Sequence, residues 1–164
     1  MTKQTEQVER KKVSILIGDD ELINPQTRAI FNSDYSTELA ERNPKYEFNW
    51  KIETEAEEVI REARTGRYDV VVTDLNYTNQ GEEGYQIIDE LQEIRDKSKL
   101  ILCTSSDEPN IRAKVEGKVD FYSCPSHVNG DYFGRHKWGN LVNILDENIQ
   151  TLKEKTIELK GDRE

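Results

Sequence analysis

Two rhythms of apolar residues alternate along this chain. Val13, Ile15, Leu16 and Ile17 form a short apolar run ending in Gly18-Asp19-Asp20, the pattern of a buried strand whose carboxyl end opens to solvent. Asn24-Pro25 then supplies a cap and a first-turn proline for a helix through roughly Leu39 or Ala40. In "YEFNWKIE", Tyr46, Phe48, Trp50 and Ile52 alternate with Glu47, Asn49, Lys51 and Glu53. That predicts a strand with unequal faces, placed at a sheet edge. Thr54-Glu55-Ala56-Glu57 has capping-box spacing, Ala56, Val59, Ile60 and Ala63 share one helical face, and Gly66 ends the pattern.

"YDVVVTD" is β-branched without alternation, which predicts a central strand covered on both faces. A helix with Ile87, Ile88, Leu91 and Ile94 follows. "KLILCTSS" and "KVDFYSCP" supply the last two strands, with a short helical piece near Pro109 to Val115 between them. Leu141, Leu145, Ile149 and Leu152 recur at helical spacing over about 20 residues, a helix of roughly 30 Å. Five strands alternating with helices need crossovers between parallel neighbours, which gives an α/β, doubly wound sandwich with helices on both faces of the sheet. Residues 12–159 would form this domain, with an elongated loop over 126–140 and polar tails at 1–11 and 160–164. The functional crevice of such a sheet lies at the carboxyl ends of its strands.

Composition narrows the partners. The 164 residues carry a formal charge of −10, which argues against direct electrostatic capture of nucleic acid or an anionic membrane. A hydrophobic share of 34% and a mean hydropathy of −0.86 describe a small core under a charged surface. No window approaches ~18 uninterrupted apolar residues and "MTKQTEQVERKK" lacks a signal-peptide core, so the expectation is a soluble, cytoplasmic chain. Cys103 and Cys124 have no metal-ligand spacing and read as buried thiols.

The strand ends gather chemistry. Asp19 and Asp20 follow the first strand, Asp74 the third, Thr104 and Ser105 the fourth, and Cys124-Pro125 the fifth. Three converging carboxylates repel one another and raise one another's pKa unless a cation is bound. Oxygen-only ligands in an open site favour Mg²⁺, with the backbone carbonyl near Asn76 as a further ligand. A metal-neutralised carboxylate can attack a phosphoryl group to give an acyl phosphate, and Thr104 would stand ready to donate to a phosphoryl oxygen.

"ILIGDDE", "YDVVVTDL" and "LILCTSS", in this order and spacing, resemble the receiver domains of two-component response regulators over roughly Lys12 to Pro125. The resemblance is to the single-domain, chemotaxis type. It implies a flavodoxin-like five-stranded parallel sheet in order 2-1-3-4-5, with Asp74 as phosphoacceptor and Asp19 and Asp20 as the acidic pair that helps hold Mg²⁺. It further implies Thr104 as the switch hydroxyl, Phe121 as the aromatic that moves with it, and a histidine kinase or phosphotransfer protein as donor. With no basic recognition helix, output would pass through contact with a downstream protein. Self-association through the apolar stripe that continues toward Ile157, giving a homodimer, is the weaker alternative.

Two departures stand out. Receivers place a lysine immediately before the proline that follows the fifth strand, and here that place is Cys124. A thiol is a weak donor and cannot replace an ammonium on a phosphoryl oxygen. Either a residue of the long connection, His127, Arg135, His136 or Lys137, folds back to supply the charge, or the chain is a pseudo-receiver that binds proteins without phosphoryl chemistry. The loop after Asp74 also lacks the usual Met-Pro and reads as a two-residue insertion, with Gly81 and Gly84 permitting positive φ. Asp74-Leu75-Asn76-Tyr77-Thr78 also suggests a haloacid-dehalogenase-type phosphatase. However, Asn76 stands where that chemistry needs its second acid.

Overall fold

A computed structural model describes residues 9–77, 81–106, 110–124, 127–128 and 136–152. The strands are β1 (Lys11–Gly18), β2 (Tyr46–Glu53), β3 (Val70–Thr73), β4 (Lys99–Cys103), β5 (Phe121–Cys124) and β6 (His127–Val128). They form one sheet in the order β2-β1-β3-β4-β5-β6. Every pairing from β2 to β5 is parallel, so the doubly wound five-stranded arrangement 2-1-3-4-5 stands. The sequence did not announce β6, which pairs antiparallel with β5 through Ser123 opposite Val128 and Cys124 opposite His127. A two-residue strand is too short to leave a hydropathy period.

Helices cover both faces. Helices α1 (Pro25–Ile30), α2 (Thr37–Arg42) and α6 (Lys137–Glu147) pack on one side, where Phe31, Leu39, Trp138, Leu141 and Leu145 meet Val13, Ile15, Ile17 and Val72. Helices α3 (Ala56–Ala63), α4 (Glu83–Glu90) and α5 (Ile111–Val115) cover the other, where Val59, Ile87 and Ile111 meet Leu16, Val71 and Leu102. The alternation of β1 sorts its residues between these two layers. Central β3 is buried at all four positions, as its unbroken apolar run predicts, while β2 alternates and lies at the sheet edge.

Several local expectations change. Asn24 does cap the first helix, accepting the N–H groups of Gln26 and Thr27. Between α1 and α2, however, the chain widens into a π-helical stretch, Phe31–Ser36, where the Thr37 hydroxyl donates to the Asn32 carbonyl at 3.0 Å. The capping box at Thr54 does not form: Glu55 is the cap residue, extended and without a side-chain capping bond. Helix α3 thus starts later than the box requires, with Glu57 and Glu58 set against the positive end of its dipole. Helix α6 runs 11 residues, not about 20, and Asn148 ends it. Gly66 takes the positive φ expected of a helix terminator, whereas Gly81 and Gly84 do not. No helix among the described residues is long and apolar enough to cross a membrane.

Candidate functional site

Parallel pairing of β1 and β3 sets Gly18 opposite Thr73, so the residues that follow, Asp19 and Asp74, emerge side by side. Asp19 begins a 3-10 turn (Asp20–Ile23), and its Oδ1 accepts the Glu21 N–H at 3.0 Å. Asp74 is tied to β1 by its N–H, which donates to the Gly18 carbonyl at 2.9 Å. Its Oδ1 accepts the Leu75 N–H at 2.6 Å. One carboxylate oxygen from each of Asp19, Asp20 and Asp74 lies within 4.8 Å of the others. Asp19 and Asp74 are buried and Asp20 is half-buried.

A lysine reaches this cluster, but not from β5. The ammonium of Lys137 lies 2.7 Å from Asp19 Oδ2, 3.0 Å from Asp74 Oδ2 and 3.5 Å from Glu21 Oε1. Lys137 is the first residue of α6, and the start of that helix is fixed from two directions. The Cys103 thiol donates to the Lys137 carbonyl at 3.1 Å. His136 Nδ1 accepts the Trp138 N–H at 3.2 Å, which requires a neutral imidazole; burial and the Lys137 charge hold its pKa below the ordinary value. Of the four residues of the long connection, Lys137 is the one seen at the site. Arg135 and the side chain of His127 lie outside the described residues. Cys124 ends β5 within the apolar layer under α4 and α5.

The charges do not balance within the protein. Burial pushes the Asp19 carboxyl up to about 7, with Lys137 pulling it back and Asp74 adding to the rise. Asp20 is raised for the same first reason, with Asp74 and Glu21 contributing. Burial also works against the Lys137 ammonium, but the charges of Asp74 and Asp19 outweigh it and hold its pKa above the usual lysine value. Three carboxylates facing one ammonium leave two negative charges, and these oxygen donors fit a divalent, oxygen-preferring cation such as Mg²⁺.

The remaining residues fall around this centre. Thr104 is buried just past β4. Its N–H donates to the Ser123 carbonyl at 3.0 Å, and its hydroxyl oxygen accepts the Ser106 N–H at 3.1 Å. Phe121 opens β5 opposite Ile101, half-buried against the layer that holds α6. Asn76 is half-buried two residues beyond Asp74. Tyr77 turns inward: it is buried and shares a 2.8 Å hydrogen bond with the Thr73 hydroxyl, and burial raises its pKa well above the ordinary phenol. Gly84 is needed for close approach, not for φ. A Cβ there would stand 2.3 Å from the Asp74 carbonyl oxygen and 2.6 Å from Leu75 Cα. Gly84→Ala is therefore expected to lower unfolding free energy by about 2 kcal/mol, read from urea midpoints. An unchanged midpoint would show that the turn relaxes freely.

The fold is that of the response-regulator receiver domains. A CheY-like receiver domain protein from Methanospirillum hungatei superposes with a TM-score of 0.60 at 17% identity, covering 92% of this chain and 99% of that one. The response regulator TrrA from Thermotoga maritima, solved in complex with Mg²⁺-BeF, gives 0.55 at 21% identity, covering 85% and 98%. The receiver domain of NarL from Mycobacterium tuberculosis gives 0.54 at 14% identity, covering 83% and 95%. No protein-family model and no curated protein matches the chain by sequence.

Proposed function

We propose that this chain is a cytoplasmic, phosphorylatable receiver that signals through protein contact. The observation that carries the proposal is the Lys137 ammonium between Asp19 and Asp74, which returns the cation that Cys124 withholds. In this reading Asp74 attacks the phosphorus of a phosphodonor, an acyl phosphate forms, and the bond to the donor's leaving group breaks. Asp19, Asp20 and Asp74, with the Asn76 carbonyl, would hold Mg²⁺, which when bound neutralises the charge that develops on the phosphoryl oxygens. Lys137 transfers its ammonium from the Asp74 carboxylate to a phosphoryl oxygen, where a charge-assisted hydrogen bond is strongest. Thr104 donates its hydroxyl to a second oxygen, and Phe121 follows it. A histidine kinase or phosphotransfer protein would be the donor.

Intact-mass measurement after incubation with Mg²⁺ and acetyl phosphate tests this. One phosphoryl adduct is expected on the parent chain and none on Asp74→Asn. No adduct under conditions that modify an ordinary receiver would leave the pseudo-receiver reading in its place.

A further inference from the structure

The indole of Trp138 makes a contact that phosphoacceptor chemistry does not itself require. Its Nε1–H donates to Asp19 Oδ2 at 3.3 Å, the oxygen that also takes the Lys137 ammonium at 2.7 Å. Oδ1 of the same carboxylate is held by the Glu21 N–H. Trp138 is buried and meets Phe31 edge-on at 5.4 Å, Tyr35 at 5.8 Å and the His136 ring at 4.8 Å. The other indole differs: among the described residues Trp50 Nε1 is buried without a hydrogen-bond partner.

The two donors on Oδ2 differ in kind. An ammonium on a four-carbon stem can move to another oxygen, whereas the indole is held among rings and has a single N–H to give. We infer that Trp138 is a positioning residue. It holds the Asp19 carboxylate in its orientation toward the cluster, so that the carboxylate would keep that orientation when a divalent ion takes over from the Lys137 ammonium. Losing the ammonium would otherwise leave the carboxylate held at Oδ1 alone, by the Glu21 N–H, at the moment it is needed as a ligand. Because Lys137 and Trp138 are consecutive, one helical turn supplies both the movable cation and the fixed donor. The inference rests on the receiver reading.

Full-length protein titrated with Mg²⁺ alone, followed by backbone amide NMR shifts, provides the test. Trp138→Phe keeps a buried ring and removes the N–H. It is expected to weaken Mg²⁺ affinity about 12-fold, the lower end of the scale for one hydrogen bond to a charged group. Trp138→Leu disturbs the ring packing more and should weaken affinity by the same factor. If the loss instead tracks each variant's stability, the role is structural and the inference falls. The third measurement needs no change at position 138. In Trp50→Phe protein, which leaves a single indole signal, the Trp138 indole proton should stay protected from solvent exchange as Mg²⁺ saturates. Release of that proton, or parent-like affinity in Trp138→Phe, overturns the positioning role and leaves the receiver reading standing. A parent that binds no Mg²⁺ overturns both.

Discussion

Lys137→Met is expected to form the Asp74 adduct about 100-fold more slowly than the parent, the usual scale for removing one charge-stabilising donor from a transition state. Methionine preserves most of the stem's volume and apolar contact, so the loss reports the ammonium. The same change leaves Asp19 and Asp74, both buried, without their cation. Unfolding free energy should fall by about 3 kcal/mol near pH 8, and less at pH 5, where Asp19, raised by burial to about 7, carries a proton. A mass time course and urea denaturation at the two pH values check both parts. Formation of the adduct at the parent rate would show that the cation is idle. Cys124→Lys is not expected to rescue the variant fully, because Cys124 is 1% exposed within an apolar layer and an ammonium there must first pay for desolvation.

Stability without metal should decline as pH rises from about 4 to about 8, opposite to the trend that salt-bridged surface carboxylates produce. Burial pushes the folded Asp19 carboxyl up to about 7 from an ordinary value of 3.8, so the folded state binds more protons between those values. Its contribution is fully present below the unfolded pKa and is lost as pH climbs through 7. At ~1.4 kcal/mol per unit, the swing is on the order of 4 kcal/mol. Lys137 is raised as well; its contribution persists throughout this window and declines only at more alkaline pH. Millimolar Mg²⁺ should flatten the profile, because the cation takes the place of the proton. Urea midpoints from pH 5 to 8, with and without Mg²⁺, read the effect. An unaltered slope in Asp19→Asn would remove Asp19 as its source.

Most of the sheet was legible because its signals are local. The β-branched run before Asp74, the strict alternation from Tyr46 to Glu53 and the acids at two strand ends each state a position in the sheet without reference to the rest of the chain. That the three carboxylates meet followed from topology alone. What stayed hidden depends on distance along the chain. Lys137 could be named as one of four candidates, but its choice needed the tertiary placement of α6, set by contacts from Cys103 and His136. The one sequence cue was its place immediately before the apolar stripe that begins at Trp138. The failed capping box has a similar cause: β2 continues to Glu53 and the chain is still extended at Glu55. The Gly84 contact was invisible because spacing alone cannot tell a glycine required by φ from one required by proximity.

Among the described residues the eight-residue β2 pairs only with β1, and no described strand takes up the backbone donors and acceptors along its other side. Its exposed positions are Glu47, Asn49 and Lys51. A second copy pairing in parallel register would set Glu47 against Glu47 and Lys51 against Lys51, and these like charges resist such stacking. The alternation that identified β2 as an edge is thus also its guard against aggregation.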